Sequence, residues 1–410
     1  MLFIYNLGIA LYSLVIRLLS PFNHKANQIY NGRKNSFQKI DSGSIPKNAI
    51  WVHCASLGEF EQGRPVIEMI KRKLPNEKIV LTFFSPSGYE IRKNYAGVDG
   101  VLYLPADTSA NAKRFVKELN PKIAIFVKYE FWHHFYKQLA LVGVPNYSIS
   151  SIFRPNQIFF KSYGSWFRSI LKNVDLFFCQ DEQSVKLLNN IGIFNCSIAG
   201  DTRFDRVFEI AQSVKSIDGI ENFVDGKTVL IAGSTWFPDE ELLVQYIEKH
   251  PNFKLIIAPH EIDDDHIVKL KSLISVKYSL FTEKKFDTWH DSQILIVDTI
   301  GLLSSLYQYG TVAYIGGGFG KGIHNILEAA TFGLPIIFGP NYLKFKEARD
   351  LIQLNSAFSI KDYQELEIVF DNLLLNADVL LNSSIAAKNY VKLNVGATDK
   401  IMDAVMAKCQ

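Results

Sequence analysis

Short apolar runs alternate along this chain with longer segments in which apolar residues recur at helical spacing. Apolar runs without polar alternation are typical of strands buried on both faces of a parallel sheet, and the segments between them supply the connecting helices. The runs are NAIWVHCAS, KIVLTFFS, VLYLP, IAIFV and DLFFCQ in the first half and TVLIAGS, KLIIAPH, QILIVD, TVAYIGGG and PIIFG in the second. The predicted helices include RPVIEMIKRKL, SANAKRFVKEL, EQSVKLLNNIG, DEELLVQYIEKH and HNILEAATFG.

The pattern occurs twice, and the joint between its two occurrences, near residues 206–226, is predicted to have little structure. A chain of 410 residues is also too long for one ordinary core. The sequence therefore predicts an α/β fold of two doubly wound domains. Ligands of such sheets bind beyond the carboxyl ends of the strands. We therefore expect the functional site in a cleft between the two sheets, among the residues that follow the apolar runs.

The overall composition excludes some classes of function. A formal net charge of only +3 gives no indication of nucleic-acid binding. The four cysteines have neither close pairing nor the spacing of metal ligands, which predicts reduced thiols in a cytosolic environment.

The N-terminal segment, MLFIYNLGIALYSLVIRLLSPF, is apolar apart from Asn6, Ser13 and Arg17. It is marginal for a helix that spans a bilayer, which needs about 20 apolar residues, and it lacks the basic start and clear cleavage site of a signal peptide. Three interpretations remain open: a short membrane anchor, an amphipathic helix in the membrane plane, and a core helix. The chain has five basic residues and no acid up to residue 40. This basic flank favours membrane association, because anionic lipids attract it.

Glu59 follows the run that ends near Cys54, in a segment predicted to turn at Gly58 before a helix that starts at Pro65. A carboxylate at the mouth of a cleft suits a general base. An acid near a helix start can also serve to compensate the helix dipole alone. Both interpretations stay open at this point.

Glu130 and Arg203 follow two further runs. Glu130 lies in KYEFWHHF, where charge follows a buried strand abruptly. The adjacent His133 and His134 do not share a helical face, which argues against a metal site of two histidines. Arg203 lies in GDTRFD and is expected either to meet an anionic substrate or to form an interdomain salt bridge.

The second half repeats this arrangement. Pro259 and His260 end one run, and Ile300, Gly301 and Leu302 follow another. These positions are where a doubly wound sheet places ligand contacts.

Five glycines within seven residues open the segment GGGFGKGIHNILEAATFGLP, residues 316–335. The pattern matches neither common phosphate-loop motif in register. Asn325 with Glu328 three residues later forms a capping-box pattern, so the plain interpretation is a helix cap. In the functional interpretation, the glycines let a nucleotide approach the backbone. The helix N-terminus then binds its phosphate, and Glu328 accepts from ribose hydroxyls.

Together these segments resemble the 3-deoxy-D-manno-octulosonic acid (Kdo) transferases of lipid A assembly. The similarity extends over nearly the whole chain, and the order and spacing of the matching segments are specific. The segments are WVHCASLGE, LTFFSPSG, KYEFW, AGDTRFD, IAGSTWFPDEE, the DTIG segment, GGGFGKGIHNILEAA and GPNYLKFKEA.

The resemblance implies a GT-B glycosyltransferase fold, with two Rossmann-like domains facing a central cleft. It implies an inverting transfer of Kdo from CMP-Kdo to a lipid A precursor of the lipid IVA type. The reaction would take place on the cytoplasmic face of the inner membrane, without a metal or other cofactor. The chain would then comprise an N-terminal membrane-associated segment (1–35), an acceptor-binding domain (36–210), a CMP-Kdo-binding domain (211–383) and a C-terminal helix returning to the first domain (384–410).

The resemblance also implies residue roles. The family's proposed base falls on Glu59, and its two residues for transition-state stabilisation fall on Glu130 and Arg203. Its CMP-contacting segments fall on Pro259, His260, Ile300, Gly301, Leu302, Asn325, Ile326, Leu327 and Glu328.

The chain departs from the family pattern at several of these positions. Lys128 stands where many relatives have an acid, and Arg203 stands where many have a lysine, which keeps the charge but changes the donor geometry. His260 stands where relatives have arginine, which removes one basic contact to CMP. Leu302 replaces a glutamate and leaves only backbone groups for the nucleotide.

Two other functions stay open on the sequence. One is a related GT-B enzyme that uses a UDP- or GDP-sugar on another lipid or glycan. The other is a non-catalytic nucleotide- or membrane-binding protein, against which the carboxylates of Glu59 and Glu130 argue.

Overall fold

A computed structural model of the chain describes residues 1–409. The chain forms two compact units. The first comprises Met1–Arg206 and the chain from Val395 onward, and the second comprises Val207–Asn394.

The first unit is built on a parallel sheet of seven strands in the order β3-β2-β1-β4-β5-β6-β7. The strands are β1 (Ile50–Cys54), β2 (Ile79–Phe83), β3 (Gly100–Tyr103), β4 (Ile123–Val127), β5 (Asn146–Ser151), β6 (Leu176–Cys179) and β7 (Cys196–Ile198). The connections step outward from β1 in one direction and from β4 in the other, so the topological switch point lies between β1 and β4.

Helices connect these strands and extend beyond them at both ends. They are α1 (Leu2–Leu19), α2 (His24–Asp41), α3 (Leu57–Lys73), α4 (Pro86–Arg92), α5 (Ser109–Leu119), α6 (His133–Val142), α7 (Ser165–Leu171), α8 (Glu182–Asn189) and α9 (Thr202–Gln212). Short 3₁₀ turns occupy Ile158–Phe160 and Ser162–Gly164.

Successive side chains of β1 point to opposite faces of the sheet, so the core of the first unit has one part on each face. Val52 and Cys54 pack with the apolar face of α3, whereas Trp51 packs on the opposite face with Phe115 of α5 and Phe135 of α6. All five residues of β1 are buried. This is why the strand appears in the sequence as a largely apolar run and not as alternating polar and apolar residues.

The second unit repeats this plan, with a parallel sheet in the order β10-β11-β9-β8-β12-β13-β14. Its switch point therefore lies between β8 and β12. The strands are β8 (Thr228–Thr235), β9 (Phe253–Pro259), β10 (Tyr278–Leu280), β11 (Ile294–Ile296), β12 (Val312–Ile315), β13 (Ile336–Phe338) and β14 (Ala357–Ser359).

The helices of the second unit are α10 (Ile220–Val224), α11 (Phe237–Lys249), α12 (Asp264–Leu273), α13 (Leu303–Leu306), α14 (Leu327–Thr331), α15 (Lys346–Gln353), α16 (Tyr363–Leu375) and α17 (Ala377–Asn394). The 3₁₀ turns are Phe281–Glu283, Phe286–Asp291 and Tyr307–Tyr309. Leu243, Leu270 and Phe370, from α11, α12 and α16, pack together on one face of the sheet.

The chain returns to the first unit through α18 (Ala397–Cys409), so its tail from residue 377 onward is two helices separated at Val395. Asp205 of α9 fixes this return. Its carboxylate accepts hydrogen bonds from the Gly396 amide at 2.5 Å, the Thr398 amide at 2.7 Å and the Thr398 hydroxyl at 2.6 Å. The carboxylate thus satisfies amide groups at the start of α18, which have no partner within the helix.

The predicted α/β fold of two doubly wound sheets is confirmed, with local differences. The strands β5, β7, β10 and β14 were not predicted, because they are short or polar. The joint near residues 206–226 is not weakly structured, since α9 runs through its start and α10 lies within it. The helix predicted to start at Pro65 begins at Leu57 instead.

Candidate active site

Two loops of the first unit leave the sheet at its switch point, where β1 and β4 lie side by side. The loop after β1 leads into Glu59, and the loop after β4 carries Lys128 and Glu130. Since parallel strands present their carboxyl ends at one edge of the sheet, the topology brings these side chains to the same place.

Glu59 lies in the first turn of α3, not in a turn ahead of that helix as predicted. Pro65 lies inside the helix and not at its start, and Gly58 is an ordinary helical residue. The Ser56 hydroxyl donates a hydrogen bond to the Glu59 carboxylate, and the Lys128 Nζ atom lies 3.7 Å from its other oxygen. Helix dipole and side-chain contacts therefore both favour a carboxylate at this position.

Glu130 is held by two ring systems. The Trp132 indole N–H donates to its carboxylate at 2.9 Å, and the Nε2 atom of His53 lies 3.3 Å from the same oxygen. The His53 ring is fully buried within β1, and its Nδ1 atom lies 2.8 Å from the Thr82 hydroxyl. A chain of hydrogen bonds thus fixes Glu130 from inside the sheet. His53 was not among the predicted site residues, although a histidine inside an otherwise apolar run is the signal that identifies it.

Both carboxylates act electrostatically on the end of β1. Burial raises the pKa of the Cys54 thiol, and the negative charges of Glu59 and Glu130 raise it further. The structure therefore brings these two predicted residues into one neighbourhood around Cys54.

Arg203 stands at the start of α9 and is tied to a buried acid. Its Nε atom donates to the Asp201 carboxylate at 2.9 Å, and its Nη2 atom lies 2.8 Å from the same oxygen. Burial alone would raise the pKa of Asp201, but the Arg203 charge and the hydrogen bonds hold that pKa below its ordinary value. Gln62 of α3 donates to both oxygens of Asp201, at 3.1 and 3.0 Å. This ion pair lies within the first unit and connects Arg203 to the helix that carries Glu59.

The two adjacent histidines are part of the packing at the start of α6. The His134 and Phe135 backbone amides donate to the Asp107 carboxylate, each at 3.0 Å. The Nε2 atom of His134 lies 2.7 Å from the side-chain oxygen (Oδ1) of Asn6 in α1. Among residues 1–409 no group of three or more side chains is arranged to hold a metal ion. The expectation that the reaction needs no metal stays a prediction.

In the second unit, the glycine-rich segment begins at the switch point between β8 and β12. A Cβ atom on Gly316 would lie 2.2 Å from the Ser234 carbonyl oxygen, so only glycine fits this close backbone contact. The next residue, Gly317, has a φ of 88° and donates its amide hydrogen to the Asp239 carboxylate at 3.0 Å. Asp239 also accepts from the Trp236 amide at 2.9 Å, so one buried acid joins the glycine loop to the start of α11.

Three rings are stacked at the ends of β8 and β9. The Trp236 and His260 ring centroids lie 4.8 Å apart, and the His260 and His324 centroids lie 4.4 Å apart. The Trp236 indole N–H donates to the Nε2 atom of His324 at 3.2 Å. Burial, with the charge of His260, lowers the pKa of His324 to about 4, so its imidazole is neutral near pH 7. This stack places His260 beside the glycine loop. Neither Trp236 nor His324 was among the predicted site residues.

The segment after β11 approaches the same edge of the sheet. Ile300 is 83% exposed, and Gly301 has a φ of 89°. The side chains of Leu303 and Tyr307, which follow, come so close to Gly233 of β8 that a Cβ atom there would lie 2.9 and 2.3 Å from them. Ile300, Gly301 and Leu302 are therefore anchored near the end of β8.

Asn325 and Glu328 differ in detail from the predicted capping box. The helix is only α14, and its first residue is Leu327. The side-chain oxygen of Asn325 (Oδ1) accepts from the Leu327 backbone amide at 3.2 Å. The side-chain nitrogen of Asn325 (Nδ2) donates to the Glu328 carboxylate at 2.9 Å. The Ile326 and Leu327 side chains are buried, so a ligand could meet these two residues only through their backbone, where the Leu327 amide is already bonded to Asn325. Glu328 also adds to the raised pKa of Tyr307, which is due first to burial, so the residue lies close to the segment after β11.

Nine predicted nucleotide-binding positions thus lie at one edge of the second sheet. The three predicted catalytic positions lie in the first unit, in the first turn of α3, in the loop after β4 and at the start of α9. Pro259, the last residue of β9, is buried like Ile326 and Leu327, and His260 is exposed beyond it. The roles of all twelve residues stay predictions.

Comparison with known proteins gives a consistent assignment. The family model for "3-Deoxy-D-manno-octulosonic-acid transferase (kdotransferase)" matches residues 30–206. The 3-deoxy-D-manno-octulosonic acid transferase of Aquifex aeolicus is 29% identical over 340 residues, which cover 80% of this chain and 86% of the relative. The enzyme of the same name from Rickettsia prowazekii is 26% identical over 383 residues, covering 88% of this chain and 79% of the relative.

Solved structures support the fold alone. The UDP-GlcNAc 2-epimerase from Neisseria meningitidis superposes with a TM-score of 0.61 at 13% identity, covering 88% of this chain and 100% of that one. The two doubly wound sheets give the chain a GT-B fold, and the family model and the relatives show that it is a glycosyltransferase similar to Kdo transferases along most of its length.

Proposed function

We propose that the protein transfers Kdo from CMP-Kdo to a lipid A precursor of the lipid IVA type, with inversion at the anomeric carbon, in lipopolysaccharide assembly. The observation that carries this proposal is the placement of Glu59. In this chain, which is similar to Kdo transferases, the Glu59 carboxylate is held by Ser56 and Lys128 at the switch point of the first sheet. The first unit would bind the acceptor, and the second would bind the donor.

Glu59 would act as the general base. A lipid hydroxyl is a poor nucleophile until its proton is removed during attack. In the proposed step, Glu59 takes the hydroxyl proton as the new bond forms between the acceptor oxygen and the anomeric carbon of Kdo. The bond from that carbon to the CMP phosphate breaks, and its electron pair leaves with CMP. A single displacement of this kind inverts the anomeric centre.

Glu130 and Arg203 would stabilise the transition state. The sugar centre gains positive charge as CMP leaves, and a fixed carboxylate such as Glu130 can stabilise it. The phosphate gains negative charge, which suits a guanidinium. Both side chains are oriented in advance, by Trp132 and His53 in one case and by Asp201 in the other, so little reorganisation is needed.

The second unit would hold the CMP group. Gly317 and the glycines around it allow close approach of a ligand to the backbone, and the Glu328 carboxylate would accept from the ribose hydroxyls. Leu302, Ile326 and Leu327 would contribute backbone groups, since the side chains of Ile326 and Leu327 are buried. We also propose that no divalent metal is required, which activity in excess chelator would test.

We further propose that α1 binds the cytoplasmic face of the inner membrane and lies in its plane. The helix is long and apolar enough to span a bilayer, with a mean hydropathy of 1.8. Yet one side of it is fastened to the first unit. The Tyr5 hydroxyl donates to the Asp107 carboxylate at 2.5 Å, and Tyr12 stacks on Phe84 with centroids 6.0 Å apart. A spanning orientation would break these contacts.

The other side of α1 is an exposed apolar row at helical spacing, which we call the outer row. It consists of Phe3, Ile4, Leu7, Leu11, Leu14, Val15, Leu18 and Leu19. An apolar face of this kind, with basic residues after it, is typical of helices that lie in the interface of an anionic membrane.

Nucleotide protection separates the proposed donor from the alternatives. CMP should raise the melting temperature of the full chain in detergent, whereas UDP and GDP should not. Protection by UDP or GDP instead would indicate a GT-B enzyme with another donor.

A further inference from the structure

A cavity of about 460 Å³ lies in the first unit between α1, α2 and the loop that follows β3. We call it the α1–α2 cavity. Its walls combine apolar side chains, such as Leu14 and Phe37, with three cationic ones, Arg17, Arg33 and Lys34. All the lining residues lie within the described chain, and none of them is acidic. The cavity therefore has an uncompensated positive charge and apolar walls.

Arg33 lines the cavity, and its guanidinium extends to two aromatic rings, Tyr12 and Phe84, that are not part of the lining. Its Nε atom donates to the Leu104 carbonyl oxygen at 3.1 Å, and its guanidinium lies 4.9 Å from the Phe84 ring centroid and 5.4 Å from that of Tyr12. Its Nη2 atom is buried and has no hydrogen-bond partner among residues 1–409. Arg33 thus adds positive charge to the wall of the cavity, and a guanidinium is well matched to phosphate oxygens.

The cavity adjoins the surface proposed to meet the membrane. Leu14 both lines the cavity and belongs to the outer row, with 50% of its surface exposed. Arg17 and Lys34 are exposed at the same opening. An amphiphile whose acyl chains cover the outer row could therefore place its headgroup among these cations.

We propose that the α1–α2 cavity binds the headgroup phosphate of an anionic phospholipid of the bilayer. Cationic side chains near the surface of an anionic leaflet are attracted to its headgroups, and here the fold collects three of them around one apolar-walled cavity. The bound lipid would join α1 to α2 and hold the first unit at the membrane. The inference rests on membrane association of α1 and not on the identity of the sugar donor.

The test measures lipid binding to the full chain in a neutral detergent by titration calorimetry. The probe is dihexanoyl phosphatidylglycerol, and dihexanoyl phosphatidylcholine is the neutral comparison. We expect saturable one-to-one binding of the anionic lipid alone. The double variant Arg17→Gln/Lys34→Gln should lower that affinity about tenfold or more, since each basic residue contributes ~1 kcal/mol at an anionic surface.

The matched control is Lys25→Gln/Lys113→Gln, which removes the same charge from exposed positions outside the cavity. It should bind like the wild type. Both double variants should keep the wild-type melting temperature and its rise with CMP, so a failed donor assignment would be distinguished from a failed lipid site.

Five results would overturn the proposal. The first is no saturable binding of phosphatidylglycerol by the wild type, and the second is equal binding of phosphatidylcholine. Equal loss in the control variant would assign the effect to diffuse surface charge. Displacement of the lipid by equimolar inorganic phosphate would indicate a free-anion site. Finally, binding of the glycolipid acceptor in place of phosphatidylglycerol would assign the cavity to the acceptor.

Discussion

The carboxylate of Glu59 and the ammonium of Lys128 lie 3.7 Å apart, across the switch point between β1 and β4. Lys128 reaches this position from a backbone conformation with φ of 62°, which is uncommon for a residue other than glycine. Strained backbone of this kind is often found at functional sites. The contact joins the first turn of α3 to the loop after β4. It fixes the orientation of the proposed base from the neighbouring strand.

Glu328→Gln should weaken CMP binding about tenfold, because the ribose would lose a hydrogen bond to a charged acceptor worth ~1.5 kcal/mol. Calorimetric titration with CMP measures this. Glu241→Gln, on an exposed position of α11, is the control and should bind CMP normally. A lower melting temperature with unchanged CMP affinity would show that Glu328 supports the loop alone.

Trp132→Phe should lower kcat about tenfold, since it removes the indole donor from Glu130 while keeping the ring that stacks on Phe84. The melting temperature should change little. Trp166→Phe, which alters a tryptophan packed on Tyr5 and His133, should leave kcat unchanged. Equal turnover by the Trp132 variant and the wild type would remove Glu130 from the proposed mechanism.

Gly316→Ala should destabilise the protein by about 2 kcal/mol or more, because the added Cβ atom would meet backbone atoms of β8. Gly320→Ala is the matched control in the same loop. Its Cβ atom would have its nearest neighbour at 3.6 Å, and it should be close to neutral. Urea unfolding of both variants checks this, and similar stabilities would contradict the close contact of Gly316 with Ser234.

His324 should make stability depend on pH. Its pKa falls from 6.5 to about 4 on folding, so the unfolded chain binds the proton more tightly. The stabilisation is complete above about pH 6.5 and is lost as the pH falls towards about 4. Allowing for solvent screening, we expect a loss of about 1–2 kcal/mol.

Urea unfolding at pH 7 and pH 5 measures this dependence. His324→Gln should show a smaller difference between the two pH values than the wild type does. The exposed His24→Gln should keep the wild-type difference. If His324→Gln also keeps it, another group is responsible.

The fold was predictable because most strands are buried on both faces. Runs such as that of β4 are apolar along their whole length and therefore stand out in the sequence. Because ligands of doubly wound sheets bind beyond the carboxyl ends of the strands, Glu59, Glu130 and Arg203 could be identified as candidate site residues. Their charge next to buried strands is a local property, visible without knowledge of tertiary contacts.

The features that were missed depend on contacts between distant residues. Strand β5 is buried but polar, since Asn146 bonds to Asp175 and Ser148 bonds to Ser151, and no apolar run indicates it. The same holds for the site. Asp239 is locally a first-turn acid, and its bond to Gly317 could not be read from the sequence.

Mass spectrometry of the lipid product tests the central claim most directly. The wild-type chain, incubated with CMP-Kdo and a lipid A precursor, should yield a lipid heavier by Kdo. Glu59→Gln should fold and bind CMP but form this product about 10²- to 10⁴-fold more slowly. Glu61→Gln, two residues along α3 and paired with Arg92, should remain active. Near-normal transfer by Glu59→Gln would remove it as the base, and a CMP-binding wild type that forms no Kdo-bearing lipid would contradict the proposed function.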